Sequence, residues 1–198
     1  MSERGSLFQA AAGCTAMIIH LNGWPGSGKL TVGRLLARDL DAYLVDNHTL
    51  HNVAACLCDR NTAPYWQMYS QVRDIAYARI RTLPENEVFV MTNALAQGNE
   101  REAEAWNAVR QLASDRLDTL VAVTLHCALE ENIRRVQSEE RANAHKLTDP
   151  VPLASWRSEL RLINEGADHS LSIDTTNLAP QETANKIAEF IARADSPG

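Results

Sequence analysis

Gly23-Trp24-Pro25-Gly26-Ser27-Gly28-Lys29 is the stretch from which the rest of the chain is read. An apolar run, Thr15 to Leu21, leads into it, and apolar residues at helical spacing, Leu30 to Leu40, follow it. A Gly-x-x-x-x-Gly-Lys loop between a strand and a helix is a phosphate cradle. The glycines let the backbone curl so that its N–H groups point inward at phosphate oxygens. The helix start adds the positive end of its dipole, and Lys29 reaches the β- and γ-phosphates. The competing reading is a glycine-rich turn with a solvated lysine; the strand–loop–helix context argues against it. Gly23, Pro25, Gly26, Ser27, Gly28 and Lys29 are therefore expected to hold a nucleoside triphosphate.

Outward from the loop, apolar runs alternate with helical patterns. Strands are expected at Thr15 to Leu21, Ala42 to Val45, Val88 to Thr92, Leu120 to Leu125 and Leu171 to Ile173. Helices are expected at Leu30 to Leu40, Thr49 to Leu57, Tyr65 to Leu83, Asn99 to Ser114, Leu129 to Ala142, Leu153 to Glu165 and Pro180 to Ala194, with a loop from Asn143 to Pro152. Continuously apolar strands alternating with helices imply an α/β fold with a five-stranded parallel sheet covered on both faces. Ligands bind beyond the carboxyl ends of such strands. The 198 residues suffice for one domain, 14–198, with a small helical lid at about 134–152 and a loose tail at 1–13.

Composition narrows the class. A net charge of −6, with 45% hydrophobic and 22% charged residues, fits a globular protein and not a dedicated nucleic-acid binder. There is no apolar run long enough to cross a bilayer, and the N-terminus lacks the long apolar middle of a signal peptide, so a cytoplasmic location without membrane attachment is expected. Cys14, Cys56, Cys58 and Cys127 are expected to be free thiols. Cys56-x-Cys58 lacks a second pair at zinc spacing and is read as two small residues on a partly buried helix. Trp24 is taken as a packing residue, and Trp66 and Trp156 as core or groove aromatics.

Asp46 ends the second strand and is the only carboxylate at the end of an early strand. Phosphoryl transfer to a hydroxyl needs a group that orients and deprotonates the acceptor. Asp46 is the candidate for that role, for holding Mg2+ through water, or for both; its alternative is an ordinary cap of the next helix. His48, His51 and Asn93 are candidates to face the acceptor. The strand ends at Asn93 and His126 do not supply the acid of a Walker B motif.

One position departs from the usual loop. Leu30 follows Lys29 where a metal-binding Ser or Thr is expected, and Thr31 comes one place later. This resembles the Gly-x-Pro-Gly-x-Gly-Lys-Gly-Thr loop of adenylate kinases. By that resemblance Leu30 and Thr31 complete the nucleotide-binding set, Thr31 meeting the α-phosphate, and Mg2+ is held by phosphates, water and a distant carboxylate. Most of the chain is similar to the P-loop small-molecule kinases: shikimate kinase, gluconate kinase, chloramphenicol phosphotransferase and adenylate kinase. In several of them an aspartate ending the second strand activates or binds the acceptor, which maps onto Asp46. Asp168-His169-Ser170-Leu171-Ser172-Ile173-Asp174-Thr175-Thr176 is similar to their last strand and the loop near the adenine.

The resemblance also implies a basic lid after the fourth strand. Arg134, Arg135, Arg141 and Lys146 are its candidates, with Arg134 and Arg141 favoured for neutralising charge on the transferring phosphoryl group. Otherwise they form a solvated helix face paired with Glu130, Glu131, Glu139 and Glu140. Arg73, Arg79 and Arg81 on the long helix are candidates to bind an anionic acceptor, with helix-surface arginine as the default reading. The expected activity is ATP-dependent phosphoryl transfer to a small-molecule acceptor. Two other readings stay open: a nucleotide-binding regulatory NTPase without a small acceptor, and a nucleic-acid end kinase, for which the acidic composition offers no groove.

Overall fold

The computed structural model describes residues 16–138 and 149–194. The expected 1–13 tail, Arg141, Lys146 and most of the 134–152 lid lie outside these residues. Five parallel strands, β1 (Met17–Gly23), β2 (Tyr43–Asp46), β3 (Val88–Asn93), β4 (Thr119–His126) and β5 (His169–Asp174), form one sheet in the order β2-β3-β1-β4-β5. Seven helices are described: α1 (Lys29–Asp39), α2 (Asn47–Ala55), α3 (Ala63–Arg81), α4 (Glu100–Arg116), α5 (Leu129–Val136), α6 (Val151–Glu159) and α7 (Pro180–Ala194).

Alternation of side chains along β1 divides the core into two layers. Met17, Ile19 and Leu21 pack with Val32 and Leu36 of α1 and Ile187 and Ile191 of α7. Ile18 points to the other face, among Tyr77 and Ile80 of α3 and Trp106, Val109 and Leu112 of α4. Both faces of the sheet are therefore dry, which is why its strands are near-continuously apolar. The register sets Leu21 and Asp46 against Thr92 and Asn22 against Asn93, bringing three strand ends to one edge of the sheet.

Several boundaries differ from the sequence pattern. The helix expected over Leu153 to Glu165 starts at Val151, with Pro152 in its first turn, and stops at Glu159. Leu160 turns extended, Gln97 N donates to Arg161 O and Ile163 N donates to Leu95 O, so tertiary hydrogen bonds replace the next helical turn. The helix expected over Leu129 to Ala142 ends at Val136. The second helix starts earlier than its apolar pattern, at Asn47, because Asp46 caps it. Cys56 and Cys58 follow that helix; Cys56 is exposed.

Candidate phosphate and acceptor site

The loop after β1 is shaped as an anion cradle. Gly26 and Gly28 have φ of 85° and 90°, a left-handed backbone that costs an L-residue on the order of 1–2 kcal/mol. A Cβ at Gly26 would meet Asn132 Nδ2 and Val136 Cγ2 at 2.7 Å, so that side of the loop is filled by α5. A Cβ at Gly28 would meet nothing within 4 Å, so the other side faces open space. Gly28 starts α1 without a side-chain cap, and the first turn carries no acidic residue. In contrast, Asp46, Thr62 and Asn99 cap α2, α3 and α4 with their side chains. Among the described residues, no side chain caps the first-turn N–H groups of α1, which are donors of the kind that hold an anion. Ser27 Oγ is buried with no hydrogen-bond partner among the described residues. Lys29 Nζ donates to Gly23 O at 2.6 Å and Trp24 O at 3.0 Å, which holds the ammonium over the loop. Thr31 lies exposed in the first turn, and Leu30 brings no hydroxyl.

Residues beyond the motif brace this loop. Asn22 Oδ1 accepts from Gly23 N and Leu95 N, each at 2.9 Å, and its Nδ2 donates to Leu95 O and Ile163 O, each at 2.8 Å. One buried amide thereby ties the loop entrance to the chain after β3 and after α6. Asn132, fully buried on α5, donates to Pro25 O at 2.7 Å. Arg157 of α6 donates to Asn132 Oδ1 at 2.8 Å and to Cys127 O at 2.7 Å. Sequence reasoning missed all three. Asn22 left a signal, a polar residue at the end of an otherwise apolar strand; Arg157 left none.

Asp46 stands at the end of β2. Its Oδ1 accepts from Thr92 Oγ1 at 2.6 Å and from His48 N at 3.4 Å. The carboxylate is therefore both a helix cap and a fixed group at the sheet edge, with Oδ2 left over. Among the described residues no three His, Cys, Asp or Glu side chains gather as a metal cage.

The other candidates take different places. Asn93 is buried, and its Oδ1 lies 3.0 Å from Nε2 of the fully buried His20. Burial, aided by the charge of Lys29, lowers the His20 pKa to about 4, so the ring is neutral at pH 7 and Nε2–H donates to the amide. That leaves the Asn93 NH2 as the group at the sheet edge. His51 does not project from α2. It stacks on Tyr69 at 4.0 Å, and its Nδ1 is 2.7 Å from Tyr65 Oη. Burial and the nearby Arg60 lower its pKa to about 4. With Trp66 these rings form a small separate core between α2 and α3, and Tyr69 Oη donates to Asn47 Oδ1 beside Asp46. His48 stays half-buried at the start of α2. Arg134 is 72% exposed and paired with Glu131. Arg135, bonded to the same carboxylate, reaches Thr175 O at 2.8 Å in the loop after β5.

No family model and no curated relative matches the chain. Solved structures do. A candidate kinase from Chloroflexus aurantiacus aligns with a TM-score of 0.69 at 16% identity, over 91% of this chain and 98% of its own. Shikimate kinase from Acinetobacter baumannii, in complex with shikimate, aligns at 0.56 and 21% identity over 93% and 97%. A gluconokinase from Sinorhizobium meliloti 1021 aligns at 0.58 and 16% identity over 91% and 93%. The chain has the fold of the P-loop small-molecule kinases.

Proposed function

We propose that this chain transfers the γ-phosphoryl group of ATP to a hydroxyl of a small-molecule acceptor. The observation that carries the reading is the meeting of two unlike groups at one edge of the sheet. An uncapped, glycine-lined helix start with Lys29 ends β1, and a carboxylate held by Thr92 ends β2, with only β3 between them. Gly23 to Thr31 bind the phosphates, Lys29 following the charge that moves to the transferred group. Asp46 orients the acceptor hydroxyl through Oδ2 and takes its proton. Asn93 offers its NH2 to the acceptor from the end of β3, and His48 lines the same side. Mg2+ neutralises phosphate charge when bound, with Asp46 its protein contact, directly or through water. Arg134 and Arg141 are the lid candidates for the phosphoryl group. Cys56, Cys58 and Cys127 are unpaired thiols, which fits a reducing cytoplasm.

Asp46→Asn tests the assignment. Affinity for a non-hydrolysable ATP analogue should stay within about threefold of wild type, while acceptor-dependent transfer falls by about two orders of magnitude or more. Undiminished transfer would remove Asp46 from the chemistry.

A further inference from the structure

Two strands over from β1, the edge of the sheet at β5 carries a second feature. Among the described residues, β5 ends the sheet and pairs only with β4. Its sequence, His169-Ser170-Leu171-Ser172-Ile173-Asp174, has neither proline nor lysine, the devices that usually keep an edge strand from pairing with another chain. Beside this edge a cavity of about 520 Å³ lies between β5 and α7, lined by Leu171, Ile173, Lys186, Glu189, Phe190 and Arg193 among others.

The charges on this side of α7 follow a pattern. Glu182, Lys186, Glu189 and Arg193 are exposed and spaced by four, three and four residues, so they form one stripe of alternating sign. No ion pair joins them to one another or to another described residue. One oxygen of Glu182 accepts from Ala179 N at the helix start. The pairs 186 with 189 and 182 with 193 share one midpoint, between Ile187 and Ala188. Laid antiparallel against a copy of itself, the stripe therefore matches minus to plus at every position.

We infer that α7 and the β5 edge form a two-fold interface with a second copy of this chain. Lys186 faces Glu189 of the partner subunit, and Glu182 faces Arg193 of the partner subunit. A two-fold axis uses each pair twice, as an isologous interface requires. The same axis serves the strand. Leu171 to Asp174 of β5 line one cavity with Lys186, Glu189, Phe190 and Arg193 of α7, so the strand and the charged stripe lie side by side. Two β5 edges then pair antiparallel while side chains of the second copy enter the cavity.

Sedimentation velocity on the full chain at tens of micromolar tests this. The expected species has twice the 21.9 kDa chain mass and dissociates further as salt rises. Lys186→Glu sets like charges opposite each other and should weaken association by about tenfold or more, as should Glu189→Lys. The double variant Lys186→Glu/Glu189→Lys restores opposite charges and should return the dissociation constant to within about threefold of wild type. Far-UV circular dichroism confirms that each variant is folded. A wild-type chain that stays monomeric, an association that Lys186→Glu leaves unchanged, or a double variant that fails to recover would each overturn the inference.

Discussion

Thr92 Oγ1 donates to Asp46 Oδ1 across 2.6 Å, joining the ends of β3 and β2. The bond occupies Oδ1 of the carboxylate, and the proposed function assigns Oδ2 to the acceptor. Thr92→Val keeps the methyl group that packs near Gly33 and removes only the donor. Turnover should drop by about tenfold through lost orientation, while ATP-analogue affinity changes by less than about twofold. A change in affinity with unaltered turnover would place Thr92 on the nucleotide side instead.

Gly26 and Gly28 share a left-handed backbone but not an environment, so alanine should act differently at the two. At Gly26 the new methyl strikes Asn132 and Val136, and stability should fall by about 1–3 kcal/mol in urea titrations. At Gly28 it projects into open space where phosphate is expected. Stability there should fall by only about 1 kcal/mol, but calorimetric affinity for an ATP analogue should weaken by tenfold or more. Equal effects at both positions would contradict this division.

Arg157 holds Asn132, which holds the loop carbonyl of Pro25. Arg157→Ala should loosen the loop and weaken ATP-analogue binding about tenfold, since it strips partners from buried polar atoms at a cost of about 1–3 kcal/mol. Arg134→Ala removes a solvent-exposed pair with Glu131 and should leave the urea unfolding midpoint essentially unchanged. Any large effect of Arg134→Ala on turnover would then come from a contact with the phosphoryl group, as proposed for it.

The contrast between these two arginines shows what the chain discloses in one dimension. The phosphate loop was legible because it is local: seven consecutive residues fix its curl, and flanking apolar periods give the strand and helix. Asp46 was legible because a carboxylate closes an apolar run. The strand alternation with helices also gave the sheet, since burial on both faces forces continuous apolar runs. Asn22, Thr92 and Arg157 were not legible, because each acts on residues distant in sequence; Asn22 bonds Ile163, 141 positions away. The overrun of α6 has the same origin. Leu160, Leu162 and Ile163 fit a helical period, yet Ile163 N is bonded to Leu95 O. Similarly, helical spacing from His48 aimed His51 at the acceptor, but its ring stacks on Tyr69 and contacts Tyr65 Oη between α2 and α3.

His20 and His51 make stability depend on pH. Each has a pKa near 4 in the folded chain and 6.5 in the unfolded one. Below pH 6.5 the unfolded chain binds protons that the folded one does not, so stability falls as pH drops from 6.5 towards 4. By pH 5 each histidine should remove about 2 kcal/mol relative to pH 7.5. Urea unfolding at the two pH values measures the sum. A flat profile over that interval would show that these rings are not buried as described.

The central claim is acceptor-dependent phosphoryl transfer, and one measurement addresses it directly. Purified chain is mixed with ATP and Mg2+, ADP release is followed across a panel of hydroxyl-bearing metabolites, and products are examined by mass spectrometry. At least one metabolite is expected to raise ADP release well above the background and to gain one phosphoryl group. ATP bound tightly, with ADP release the same for every metabolite as for none, would contradict the claim.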